Sequence, residues 1–217
     1  MDLMEAIRQR RSVRRYQDTP IPGDVRDKLA AYAEQCSRES GLHIQLICNE
    51  PAGFGKTFPG AANYLAIVGP RGSDLEEKSG YYGEKLVLFA QQLGLSSCWA
   101  KFSGVKRAAA YTLEEGEVYV IGIALGYGEK PETPRKSKSF EDVTKLRGEA
   151  PDWFKAGVEA ALLAPTAMNQ QAFTLELRED GSVKARAKLG PFSKIDLGIV
   201  KCHFEIGAGT ENFRWAD

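Results

Sequence analysis

The order of apolar and polar positions along the chain predicts alternating helices and strands. Apolar residues that recur every three or four positions predict helices at 24–36, 81–93, 153–163 and 196–206, with shorter ones near the N-terminus and at 106–111. Alternating or continuously apolar stretches predict strands at 43–48, 63–69, 95–102, 117–125, 173–177 and 183–189. The glycines at 94, 207 and 209 stand where helices are predicted to end.

The second part of the chain repeats the element order of the first. In both, a helix is followed by a loop, a strand and a later helix that ends in glycine. We therefore predict a partial internal duplication, with residues 1–139 as the first copy and 140–217 as a partial second copy packed on it as one globular unit. Identities are few, and chance similarity stays the alternative because helix–strand alternation is common.

A dense arginine segment, residues 8–16, follows the first short helix. Asp2 is expected to cap that helix, with Glu5 as its reciprocal partner. Five of the first eight residues of the segment are arginine, and Ser12 lies among them. Forked donors beside a hydroxyl suit a phosphate and a planar polar ring edge. A solvated basic face or a nucleic-acid patch is the alternative for the segment taken alone.

Composition narrows the alternatives. The chain has 217 residues, a formal net charge of zero and 27% charged residues, which argues against a general nucleic-acid binder. Its four cysteines are far apart and it has two histidines, so neither a zinc site nor a Cys/His nucleophile pair is expected. Unpaired cysteines favour a reducing, cytoplasmic location. We expect no membrane segment, because no apolar stretch approaches the length of a span.

Other motifs are interpreted as structural. No Gly-x-Gly-x-x-Gly follows a predicted strand, and the glycine-rich residues 53–57 lack the spacing of a P-loop. We expect His203 to be a satisfied packing histidine. Trp99, Phe102 and Met168 are interpreted as core residues.

Several segments together resemble the flavin-dependent nitroreductase family. Arg-Arg-Ser-Val-Arg at 10–14 is similar to its N-terminal signature, and Ala-Pro-Thr-Ala-Met-Asn-Gln-Gln at 164–171 to its Ala-Pro-Ser-x-x-Asn-x-Gln signature. Three further segments resemble a helix–strand junction, the last core strand and the basic segment that closes the phosphate site: 90–99, 121–128 and 135–143. The resemblance covers most of the chain.

The order of these motifs departs from the ordinary family. The Ala-Pro-Thr segment comes after the last core strand instead of a few dozen residues after the arginine motif. Thr166 replaces Ser, and Ala172-Phe173 replace Pro-Trp. The chain is therefore similar to a rearranged branch in which the motif order is permuted. The resemblance implies a nitroreductase-like α+β fold, with a mixed, mainly antiparallel central sheet flanked by helices.

The resemblance also implies an FMN site and a role for each matching residue. Arg10 and Arg11 are placed near the phosphate or ribityl chain, with Ser12 as a short donor and acceptor. Arg14 is placed at the N1–C2 carbonyl side of the ring, where a fixed cation favours the reduced flavin. The other residues that we expect to bind the cofactor are Lys101, Phe102, Arg135, Lys138, Pro165, Thr166, Ala167 and Asn169.

These expected cofactor contacts differ in kind. Lys101 and Phe102 would offer a backbone N–H near flavin N5, and Asn169 would read the pyrimidine edge. Arg135 and Lys138 would add charge at the phosphate, whereas Pro165, Thr166 and Ala167 would approach through backbone and small side chains. No catalytic side chain is expected, since the flavin carries the chemistry.

The function implied is an FMN-dependent oxidoreductase. NADH or NADPH would reduce the flavin, and the flavin would reduce a small-molecule acceptor such as a nitroaromatic or quinone by a ping-pong scheme. In ordinary members the site lies between two subunits. Here the second copy would imitate the partner, which predicts a monomer with an internal pseudo-dimer; a homodimer is the alternative. A flavin-binding sensor or carrier, and an anion- or nucleic-acid-binding module, stay open as other functions.

Overall fold

The computed structural model describes residues 1–50, 58–101, 110–129 and 136–216. Its helices and strands, in chain order, are α1 Leu3–Gln9, α2 Gly23–Ser40, β1 His43–Ile47, β2 Asn63–Pro70, α3 Leu75–Gln92, β3 Ser96–Ala100, β4 Glu117–Gly126, α4 Phe140–Val143, β5 Thr144–Lys145, α5 Asp152–Ala161, β6 Phe173–Leu177, β7 Val183–Ala187 and α6 Ser193–Ala208. Within these described ranges, no helix combines the length and apolarity needed to cross a bilayer.

A four-stranded antiparallel sheet, in the order β1-β2-β4-β3, forms the centre of the fold. Both faces of β2 are buried. Leu65 and Ile67 point into the larger hydrophobic core, and Tyr64 and Ala66 point into a second cluster on the other side. A strand covered on both faces needs apolar residues at consecutive positions, which explains the unbroken apolar pattern of its sequence.

A second, smaller sheet has the order β5-β6-β7, with β5 parallel and β7 antiparallel to β6. The α+β fold class with mainly antiparallel sheets flanked by helices is therefore confirmed. Sequence patterns assigned neither a helix nor a strand to the residues of α4 and β5. The local signal was a capping box, in which Ser139 accepts from the backbone N–H of Asp142 and the Asp142 carboxylate accepts from that of Ser139.

Helices α3 and α6 pack closely through a reciprocal pair of glycines. A Cβ atom on Gly80 would overlap the carbonyl oxygen of Ile195, and one on Gly198 would overlap that of Glu77. Each glycine thus meets the residue three positions before the other glycine. Two copies related by a two-fold axis show this pattern, because a contact between residue i of one copy and residue j of the other occurs a second time with the copies exchanged.

Residues of both predicted parts share one core. Leu65 and Ile123 of the central sheet belong to the same buried cluster as Phe154 of α5, Leu175 of β6 and Phe204 of α6. The second part also has a helix, two antiparallel strands and a helix in the order α5-β6-β7-α6, as the first has in α2-β1-β2-α3. Duplication of the chain between 1–139 and 140–217 stays a prediction.

Several predicted boundaries need correction. Helix α3 begins at Leu75 rather than at residue 81. Glycine disfavours a helix, but Gly80 lies inside α3, where the lack of a side chain allows the close contact with α6. Helix α1 has its Asp2 cap, but the Glu5 side chain accepts from the Gln9 side chain and is not the reciprocal partner of Asp2. Of the helix predicted at 106–111, residues 106–109 lie outside the described residues, and Tyr111 is not helical.

Candidate functional site

A cavity of about 200 Å³ lies between the arginine segment, β3 and the first turns of α6. Ser12 and Arg14 line it from the first part of the chain, and Thr166, Ala167 and Asp196 from the second. A larger groove of about 1010 Å³, between β6 and the start of α5, contains none of the predicted site residues. The smaller cavity is therefore the candidate site.

The arginine segment reaches the cavity as an extended chain. Helix α1 ends at Gln9, and the backbone N–H of Val13 donates to the carbonyl oxygen of Ser97 in β3 at 3.0 Å. Val13 is buried, whereas its neighbours Ser12 and Arg14 line the cavity. Alternation along an extended chain accounts for this, because successive side chains point to opposite sides.

Residues 164–171 form a tight loop after α5, named here the second-part loop. The Thr166 hydroxyl accepts from the backbone N–H of Gln171 at 3.0 Å, and the buried Gln171 side chain donates to the carbonyl oxygen of Leu162 at 2.8 Å. Met168, Asn169 and Gln171 have φ values of 51°, 52° and 44°. Non-glycine residues with positive φ cost energy and cluster at functional sites, which is consistent with a binding role for this loop.

Asp196, in the first turn of α6, holds the second-part loop in place. Both of its carboxylate oxygens accept from the backbone N–H of Ala167, at 3.0 and 3.1 Å, and one also accepts from the Gln170 side chain at 3.1 Å. The residue is 3% exposed and lines the cavity. Burial raises the pKa of Asp196, while the hydrogen bonds from Ala167 and Gln170 oppose that rise.

Two large apolar side chains stand at the cavity on strained backbone. Met168 is 82% exposed and has φ 51°, so its interpretation as a core residue is wrong. Phe192 has φ 60°, and the Lys101 ammonium lies 5.5 Å from the centre of its ring. That distance is typical of a cation–π contact. The cavity wall thus carries apolar and cationic groups side by side.

A buried polar cluster, here the Glu84 cluster, lies behind the cavity wall and consists of Arg10, Glu84, Trp99 and His203. Trp99 lines the cavity, and its indole N–H donates to Glu84 at 2.9 Å. His203 is fully buried, 2.8 Å from Glu84 through Nε2 and 3.0 Å from the Ala160 carbonyl oxygen through Nδ1. The expectation of a satisfied packing histidine is confirmed.

The cavity brings together six of the residues expected to bind the cofactor: Ser12, Arg14, Lys101, Pro165, Thr166 and Ala167. Of two more, Asn169 lies in the second-part loop and Lys138 lies beside it. Asn169 is exposed and its amide donates to the Lys136 carbonyl oxygen at 2.7 Å, while the Lys138 ammonium donates to that of Gln171 at 3.0 Å.

The remaining four expected residues are outside the cavity lining or outside the described residues. Arg11 is half-buried and Arg10 is buried with its Nε 3.9 Å from Glu84. Burial lowers the pKa of Arg10, and the charge of Glu84 opposes that change. Phe102 and Arg135 lie outside the described residues. Cofactor contact by any of the twelve stays a prediction.

Sequence reasoning missed Asp196 and Phe192 as site residues. The sequence pattern identifies Asp196 only as the start of a helix. An acidic residue in the first turn of a helix commonly accepts hydrogen bonds from nearby backbone N–H groups. Its partner, Ala167, is 29 residues away along the chain. No local pattern links the two positions.

Comparison with known proteins gives the family. The family model described as "Putative TM nitroreductase" matches residues 2–208. A protein of Methanothermobacter thermautotrophicus named "Putative NADH dehydrogenase/NAD(P)H nitroreductase" is 28% identical over 159 residues, which are 61% of this chain and 81% of the relative.

Solved structures share the fold. A "putative nitroreductase" from Thermotoga maritima is 22% identical, with a TM-score of 0.69 over 95% of this chain and 83% of that one. Another, from Desulfovibrio desulfuricans and in complex with FMN, is 16% identical, with a TM-score of 0.55 over 70% of this chain and 99% of the other. The family match spans nearly the whole sequence, and the chain therefore belongs to the TM nitroreductase family.

Proposed function

We propose that the protein is an FMN-dependent oxidoreductase, which uses NADH or NADPH to reduce an acceptor such as a nitroaromatic or a quinone in a ping-pong scheme. One observation carries the proposal: a single cavity joins the arginine segment, through Ser12 and Arg14, to the second-part loop, through Pro165 and Thr166. The names of the relatives and the FMN complex of a fold neighbour support the cofactor and the reductant.

The residues present fit FMN in their chemistry. Ile121 and Ile199 give the cavity apolar walls, and Ser12, Arg14 and Lys101 give it donors, a mixture that suits a flat ring with a polar edge. About 200 Å³ is smaller than common ligand pockets of about 300–1,000 Å³. The phosphate-bearing part of FMN would therefore lie outside the cavity, where the arginine segment and the basic residues beside the second-part loop supply positive charge.

The chain's own residues position and tune the cofactor. When bound, FMN supplies the hydride chemistry between the nicotinamide and the acceptor. Arg14 places a permanent positive charge in the cavity and so favours negative charge on a bound group. Asp196 fixes the second-part loop through the Ala167 N–H, and Ile121, Ile195 and Ile199 form the apolar part of the wall. Met168 and Phe192 line the same cavity, and we propose that their side chains contact the acceptor.

We further propose that one chain completes the site. The reciprocal glycine contact of α3 with α6 and the matching orders α2-β1-β2-α3 and α5-β6-β7-α6 support a fused pseudo-dimer. The second part has no segment like the arginine run. We therefore expect one FMN per chain rather than the two that full two-fold symmetry would give.

Absorption spectroscopy with added FMN and NAD(P)H tests the function. The protein is expected to retain FMN through gel filtration, and the bound flavin to bleach when NADH or NADPH is added without oxygen and to recover with a quinone. A protein that stays colourless after incubation with FMN would refute the proposal. Bound flavin that neither nicotinamide bleaches would instead identify a flavin-binding carrier or sensor.

A further inference from the structure

The Glu84 cluster connects the elements that build the cavity. The Glu84 carboxylate, on α3, contacts Trp99 of β3 and His203 of α6. It also lies 3.9 Å from Arg10, just after the end of α1. His203 in turn contacts the Ala160 carbonyl oxygen of α5, the helix that leads into the second-part loop. Glu84 and His203 are fully buried and Arg10 is 4% exposed, so water does not screen their charges.

Hydrogen-bond chemistry fixes the total charge of this cluster. A carbonyl oxygen only accepts, so the His203 Nδ1 facing Ala160 carries a hydrogen. One further proton must lie between His203 Nε2 and Glu84, because otherwise two acceptors would face each other at 2.8 Å. Whether that proton belongs to the imidazole or the carboxyl group, the pair is neutral in sum. Arg10 is always protonated, and the cluster therefore carries one positive charge.

The positive charge lies close to the cavity wall. Trp99 joins the cluster and lines the cavity, and Cys98 beside it lines the cavity too. Burial raises the pKa of the Cys98 thiol, and the charges of Arg14 and Arg10 both oppose that rise. Arg10 thus acts electrostatically on a residue of the wall, although it does not itself line the cavity.

We propose that Arg10, Glu84 and His203 form a singly positive support behind the cavity, which favours negative charge on the group bound there. Arg10 is then a positioning and tuning residue rather than a direct ligand. The inference rests on the proposed function, because the group concerned is FMN. Direct contact of Arg10 with the FMN phosphate, as the resemblance implies, is the competing outcome.

Three variants separate charge from hydrogen bonding. Glu84→Gln accepts from Trp99 and donates to His203 Nε2, so the bonds and the single positive charge remain. Arg10→Met with Glu84→Gln removes that charge, whereas Arg10→Lys with Glu84→Gln restores it. Dissociation constants are measured for oxidised FMN, reduced FMN and riboflavin, which lacks the phosphate.

The expected result is a change in the redox preference of binding. Glu84→Gln should leave the ratio of reduced to oxidised FMN affinity unchanged. The Met double variant should lower that ratio about tenfold, which for a two-electron couple is a midpoint shift of about −30 mV, and the Lys double variant should recover most of it. Weaker binding of FMN with unchanged riboflavin binding and an unchanged ratio would overturn the inference and make Arg10 a phosphate ligand.

Nitrogen NMR of His203 tests the cluster without any substitution, in case the Met variant does not fold. The wild-type protein should show a hydrogen on His203 Nδ1, bonded to the Ala160 carbonyl oxygen, and a single further proton between Nε2 and Glu84. A His203 Nδ1 without a hydrogen would overturn the inference, because the pair with Glu84 would then lack a proton that makes it neutral. This readout does not require FMN, so it stays decisive even if FMN binding fails.

Discussion

Removing the Asp196 carboxylate should loosen the second-part loop and weaken flavin binding together. In Asp196→Ala the Ala167 N–H and the Gln170 amide lose their acceptor at a position that is 3% exposed. An unsatisfied buried donor costs about 1–3 kcal/mol, and a bond to a charged group contributes about 1.5–3 kcal/mol. We expect a loss of about 3 kcal/mol, or about 6–12 °C in Tm for a chain of this size.

The loop carries Thr166 and Ala167, so its disorder should reduce FMN affinity. If the binding conformation falls to about one molecule in ten, the apparent dissociation constant rises about tenfold. Calorimetry and an FMN titration measure the two effects. Asp180→Ala is the matched control, because Asp180 also accepts from a backbone N–H, in the exposed turn before β7, and does not line the cavity. Asp196→Ala with unchanged Tm and unchanged FMN affinity would refute this reasoning.

The pH dependence follows from the raised pKa of Asp196. Burial favours its protonated form in the folded state, so the pH-dependent part of its contribution to stability is fully present below the unfolded pKa of about 3.9 and is lost as pH rises through the folded value. The neutral Asp196→Asn protein lacks this titration. The stability of the wild type relative to Asp196→Asn should therefore fall as pH rises above about 4, and a rise would contradict the assignment.

Other substitutions test the cavity and the pseudo-dimer. Arg14→Ala should raise the FMN dissociation constant at least about tenfold, since a bond from a charged group contributes about 1.5–3 kcal/mol; unchanged binding would remove Arg14 from the site. Asn169→Ala should weaken FMN binding without altering the molecular mass in light scattering, and a change of mass would implicate a second chain. Gly198→Ala should lower the free energy of unfolding by about 3 kcal/mol or more, because the added methyl group meets the Glu77 carbonyl oxygen. Gly23→Ala, whose Cβ meets nothing closer than 3.9 Å, is the control.

Sequence patterns predicted the elements whose burial is simple. The strand 63–69 is apolar throughout because both of its faces are covered, and the helix at 24–36 buries one face through Leu29, Ala33 and Cys36. Residues at crossings are harder to predict. Gly80 disfavours a helix locally, and only its contact with Ile195, 115 positions later, explains why α3 passes through it.

The site was predictable where a motif is contiguous. Ser12 and Arg14 belong to one short segment, and Pro165, Thr166 and Ala167 to another, and the two meet in the same cavity. Asp196 could not be assigned, because its role depends on packing against Ala167. Arg10 and Arg14 are both arginines of one segment, yet Arg10 is buried beside Glu84 and Arg14 lines the cavity. Nothing in the local sequence indicates which arginine is buried.

The most direct test of the account is the mass and flavin content of the purified protein, measured in one light-scattering experiment with absorbance detection in the flavin bands. A single 217-residue chain that elutes with one bound FMN is the predicted result. The contrary result is a dimer. If a mixed dimer, with the second-part loop altered in only one subunit, loses flavin from the other subunit's arginine segment, the site needs two chains. That result would contradict the claim that Arg14 and Thr166 of the same chain complete it.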